Sequence, residues 1–115
     1  MVYEYMGKKE FAEADRYASY LGTEDDPARL LHRSMVSVAC HQWLKTQEFG
    51  TMLPEGILPL AEAKAGFEYL VSLELSEQER TLCRLYVIQI LELLGDYPVA
   101  VERLQQMYAE AVIIV

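Results

Sequence analysis

The sequence predicts an all-α fold, a stack of antiparallel helix hairpins with about five helices, in a single domain over residues 1–115. Three observations lead there. Apolar residues recur at three- and four-residue steps along most of the chain, which is the period of one helix face. Turn and capping signals cut that pattern into segments of helical length. No segment alternates apolar and polar residues as a half-buried strand would.

The first helical segment covers about Val2 to Leu21, with Gly7 as a point of interruption. Phe11, Ala14, Tyr17, Ala18 and Leu21 form its apolar stripe. Gly22 suits a helix stop, and Asp26 followed by Pro27 suits a cap and first turn. The second helix runs from Pro27 to about Thr46, with Leu30, Leu31, Met35, Val38, Ala39 and Trp43 on its buried side. EFGTMLPEGILP is rich in breakers and reads as a loop. A third helix follows from about Pro59 to Leu73. Ser76 to Glu79 reads SEQE, a capping box that opens a fourth helix running to about Leu94. Its apolar residues cover nearly all faces, so it packs on several sides. Gly95 stops it, and Pro98 opens a fifth helix toward Ala111. The apolar tail Val112 to Val115 extends that helix, adds a strand, or meets a partner.

A hydrophobic fraction of 52% gives the chain a core of its own and argues against disorder. The net charge of −8 disfavours nucleic acid and anionic membranes as partners. Lys8-Lys9 is the one basic doublet, and no apolar stretch has transmembrane length. Cys40 and Cys83 both fall in apolar helical patterns and read as small buried hydrophobes. Two cysteines make no disulfide framework, and the N-terminus shows no signal-peptide pattern, so the expected compartment is the cytoplasm. Cys40 and His41 are neighbours on a helix and point about 100° apart, so they form no nucleophilic dyad. His32 and His41 lie on nearly opposite faces, which removes a shared metal. The expectation is no enzyme, no metal and no cofactor.

EFAEA holds Phe11 and, three residues later, Ala14; GDYPVA holds Tyr97 and, three later, Ala100; KTQEF ends in Phe49 at a matching helix–turn position. A helix, a turn with an aromatic residue and a second helix opening on a small residue together resemble tetratricopeptide repeats. Leu104 and Met107 fall where such a repeat has apolar packing residues, and Asp25-Asp26-Pro27 resembles the join between repeats. The spacing departs from the family: Phe11, Phe49 and Tyr97 are 38 and 48 residues apart, against about 34 in the family. Met52 stands where the middle repeat would carry its alanine.

The resemblance implies a protein-interaction module, an adaptor or chaperone that binds an amphipathic helix or apolar peptide in a groove. Carried over by position, Ser37, His41 and Leu44 of the second helix and Leu85, Gln89 and Glu92 of the fourth would face that groove. The chain has no asparagine, which disfavours the carboxylate-gripping members of the family. Small bacterial proteins of this kind resemble secretion chaperones. A homodimer through the apolar ends is a further expectation, since a short repeat array needs its end faces covered. Two other classes compete: a regulatory or sensor domain of a larger protein, and a small acidic inhibitor of phage type.

Overall fold

The computed structural model describes residues 2–47 and 52–114, with side chains as far as Glu110. These residues form six helices: α1 Val2–Gly7, α2 Phe11–Ala18, α3 Pro27–Leu44, α4 Leu60–Val71, α5 Glu77–Leu93 and α6 Tyr97–Ile114. The fold is all-α, as the periodicity predicts, and among the described residues there is no strand. Consecutive helices pack as hairpins. α1 also touches α3, and α3 touches α5, whereas α2 does not reach α4, nor α4 reach α6. Odd helices therefore share one side of the stack and even helices the other. The shortest extent, 21 Å, equals about two helix diameters, as two layers require.

The first helical segment is two helices rather than one. Lys9 adopts a left-handed backbone, φ 63°. The amide of Lys9 donates to the Met6 carbonyl at 3.1 Å, and that of Glu10 to the Tyr5 carbonyl at 2.9 Å. This crossed pair of bonds is a Schellman stop. Gly95, φ 80°, makes the same stop after α5: its amide donates to the Glu92 carbonyl at 3.0 Å, and the Asp96 amide to the Leu91 carbonyl at 2.9 Å. The interruption falls at Gly7 as the sequence suggests, but the left-handed residue that makes the stop is Lys9, which its residue type does not announce.

After these turns the even helices open alike. The amides of Ala14, Ala63 and Ala100 donate to the carbonyls of Glu10, Pro59 and Asp96. All three alanines are buried, so that α2, α4 and α6 come close to their neighbours at their first turns. The middle member of this set is therefore Leu60 with Ala63. Phe49, the expected counterpart, lies outside the described residues, and Met52 is exposed and precedes α4. Phe11, Leu60 and Tyr97 stand 49 and 37 residues apart; the long first interval holds the linker between α3 and α4. The other boundaries follow their caps. Asp26 accepts from the Ala28 amide at 2.9 Å with Pro27 behind it. Ser76 accepts from the Glu79 amide at 3.2 Å, and its hydroxyl donates to the Glu79 carboxylate at 3.0 Å. The glutamate of the capping box thus bonds the serine side chain. The tail takes the helical alternative: α6 continues through Ile114.

Two cores share α3. Val36 and Cys40 pack with Val2, Phe11, Ala14, Ala18 and Ile57. Met35 and Val38 pack with Ala63, Phe67, Leu70, Cys83, Val87, Ile90 and Leu91. Gly66 lets α4 close on α3, since a Cβ there would come within 2.9 Å of the Ser34 hydroxyl. Arg33 ties the first core together. Its guanidinium donates to Asp15 of α2 at 3.1 and 3.3 Å, and to the Gly56 carbonyl at 3.0 Å. One turn on, the Ser37 hydroxyl donates to the Leu58 carbonyl at 2.6 Å. One face of α3 thus holds the linker and buries Ile57.

Lys9→Gly should raise stability by about 1 kcal/mol, because it removes a side chain from a left-handed position; a denaturant midpoint that stays or falls contradicts the turn. Arg33→Met leaves the Asp15 carboxylate buried without its partner and should cost about 2–3 kcal/mol, less than a fully buried pair because the guanidinium is 29% exposed. Adding Asp15→Asn should recover much of that loss in the same chemical denaturation series.

Candidate partner-binding face

The side shared by the odd helices is marked by two cross-helix hydrogen bonds. The Tyr3 hydroxyl of α1 lies 3.4 Å from His32 Nε2 of α3, with the two rings edge-to-face. Gln42 Nε2 of α3 donates to Gln89 Oε1 of α5 at 2.9 Å. His32, Met35, Ala39 and Gln42 therefore carry the odd-helix side of α3. The expected α3 residues lie about 100–160° around the helix from Gln42. Ser37 is buried and bonded to Leu58. His41 is half-buried, its Nδ1 donating to the Ser37 carbonyl at 2.8 Å. Leu44 packs against the first core beside Trp43. On α3 these three residues thus lie on a different face from His32 and Gln42.

The α5 residues fall differently. Leu85 and Glu92 are exposed and Gln89 is half-buried against Gln42. Leu85, Gln89 and Glu92 are one turn apart, so they share a face. Leu82 and Leu85 line a shallow depression with Glu77, Gln78 and Thr81.

Exposed apolar side chains concentrate on the last hairpin. Of twelve large exposed hydrophobics among the described residues, seven lie between Leu82 and Tyr108, so this hairpin is the least covered part of the stack. Val101, Leu104 and Tyr108 form a stripe along α6. Leu104, expected as a packing residue, is exposed because no described helix lies over that side of α6; Met107 is half-buried against α5, as expected. On the opposite side of α6, a cleft of about 380 Å³ separates α4 from α6. Its floor is Val71, Val87, Ile88 and Met107, and its rim carries Glu68, Arg103 and the Arg84–Glu110 ion pair.

Neither cysteine is placed for chemistry. Cys40 belongs to the first core and Cys83 to the second, both as free thiols. Burial pushes the Cys40 thiol from 9.0 up to about 11. Burial, with the Glu79 carboxylate as a smaller cause, also raises Cys83. A protonated buried thiol is a poor nucleophile. Among the described residues no group of three metal-ligating side chains gathers. No helix among them is long and apolar enough to cross a membrane.

Comparison with protein-family models, with curated proteins and with solved structures returned no match.

A thiol reagent at pH 8 should modify neither cysteine in the folded chain and both after unfolding; rapid labelling of native Cys40 would contradict its burial. The raised folded value means that this thiol supports the fold below pH 9 and loses that contribution between about pH 9 and pH 11. Cys40→Ala should remove this part of the alkaline loss of stability.

Proposed function

We propose that the chain is a tetratricopeptide-like interaction module of the cytoplasm, an adaptor or chaperone that holds a helical or apolar segment of a partner protein and performs no catalysis. The observation that carries this reading is the alternation of contacts, with odd helices touching one another and even helices not. Such an arrangement lines one side with successive helices and offers a continuous surface to an extended ligand. The matching first turns of α2, α4 and α6, each with its buried alanine, support the repeat reading. Leu85, Gln89 and Glu92 of α5, joined by Gln42 of α3, form the surface on which the ligand rests. Leu85 supplies apolar contact, the paired glutamines supply hydrogen-bonding groups, and Glu92 supplies charge.

The test is affinity capture from extract of the source cells with the wild-type chain, Leu85→Glu and Gln89→Ala, compared by quantitative mass spectrometry. A protein retained by the wild type and reduced at least tenfold by Leu85→Glu, at unchanged helicity, is the expected result. Identical retained proteins on all three baits would remove these residues from the binding surface.

A further inference from the structure

Superposing the first turns of the even helices sets Ala18, Phe67 and Leu104 at one equivalent position, seven residues after Phe11, Leu60 and Tyr97. Ala18 is sealed in the core that α3 closes. Phe67 is sealed by α5, whose Tyr86 ring stacks on it with centroids 4.8 Å apart. Leu104 is 51% exposed. The same holds one turn later, where Val71 of α4 packs into the core and its equivalent Tyr108 stands in solvent. At the position equivalent to Leu104 in both earlier hairpins, Ala18 and Phe67, the following odd helix covers the side chain. On α6 the stripe is apolar and bare.

We infer that the Val101, Leu104 and Tyr108 stripe of α6, continued by Leu85 of α5, seats one amphipathic helix of a partner protein with a basic flank, in the pose that α3 takes on α2 and α5 takes on α4. This deepens the interaction-module reading and rests on it. The span from Tyr97 to Tyr108 is about 16 Å along the helix, room for about three turns of a partner. The charge around the stripe chooses the partner. Glu77, Glu92, Asp96 and Glu102 are exposed on this hairpin. Of them only Glu77 has an ion-pair partner among the described residues, Arg80 at 3.7 Å. The hairpin's Arg84 and Arg103 lie on the other side, at the cleft facing α4. An apolar stripe on a hairpin with exposed, largely unpaired acids complements an apolar stripe flanked by Lys and Arg. A second copy would bring acid against acid between chains that each carry −8.

The probe is a synthetic amphipathic helical peptide of about four turns with a Leu/Met stripe and Lys/Arg flanks, with a twin whose flanks are Glu. Fluorescence anisotropy should give binding of the basic peptide, at least tenfold weaker binding of the acidic twin, and weakening with added salt. Leu104→Glu should weaken the basic peptide at least tenfold, Tyr108→Ala should weaken it severalfold, and Glu24→Gln, in the exposed loop between α2 and α3, should leave it unchanged. Loss on Gln89→Ala with retention on Leu104→Glu would overturn this seat and leave the odd-helix surface as the ligand site. No binding of either peptide, or equal binding of both, would overturn the basic-helix assignment, while the capture experiment above judges the interaction reading separately. A concentration-dependent dimer in sedimentation that Leu104→Glu dissociates would overturn it in favour of self-association.

Discussion

Ala14, Ala63 and Ala100 each sit one turn into an even helix and are buried there. A small side chain at this buried position lets the neighbouring helices pack close. The gain is dispersion and burial along the rest of the helix, since a hairpin whose ends meet closely brings every later apolar residue into reach of the opposite wall. Phe67, Leu70, Ile90 and Val87 fill the second core because α4 and α5 approach at this distance. The same constraint orders the layers. A hairpin with a tight first turn presents one flank of its even helix to the next odd helix, and the stack grows by repetition of that contact.

The linker between α3 and α4 is the exception to repetition, and the chain compensates for it with polar chemistry. Arg33 and Ser37 reach carbonyls at Gly56 and Leu58 that no helix or turn would otherwise satisfy, and Ile57 between them enters the first core. Backbone that must be buried needs such partners. Asp15 completes the arrangement from α2, so a single guanidinium joins two helices and a loop. Here α3 spends side chains that a regular array would leave free to face solvent.

Helix type, caps and the larger part of both cores were legible in the sequence because they rest on local rules. Asp26, Pro27, Ser76 and Gly95 stand where cap chemistry requires them, and the apolar steps of α4 and α5 point inward as their period indicates. Three things were not legible. Lys9 carries a left-handed turn that its residue type conceals. The buried alanine that opens the middle even helix is Ala63, which stands behind the long linker from α3 and away from the position after Phe49 where it was expected. The side of α3 shared with the other odd helices is fixed by contacts with α1 and α5 that lie far away in the chain, so local period alone could not tell that Ser37, His41 and Leu44 lie away from it. Leu85, Gln89 and Glu92 needed only the period of α5 itself to share a face.

The division of α3 between two cores also governs how the molecule loses its structure. Val36 and Cys40 depend on α1, α2 and the linker; Met35 and Val38, on other sides of the same helix, depend on α4 and α5. Peeling away the first two helices strips one side of α3 and leaves its other side seated. The reverse does not hold, because without α4 and α5 the small first core alone must keep an eighteen-residue helix folded. Cooperativity is therefore uneven: the second core, which holds α4 and α5 on the other side of α3, can support a chain whose N-terminal hairpin has come away.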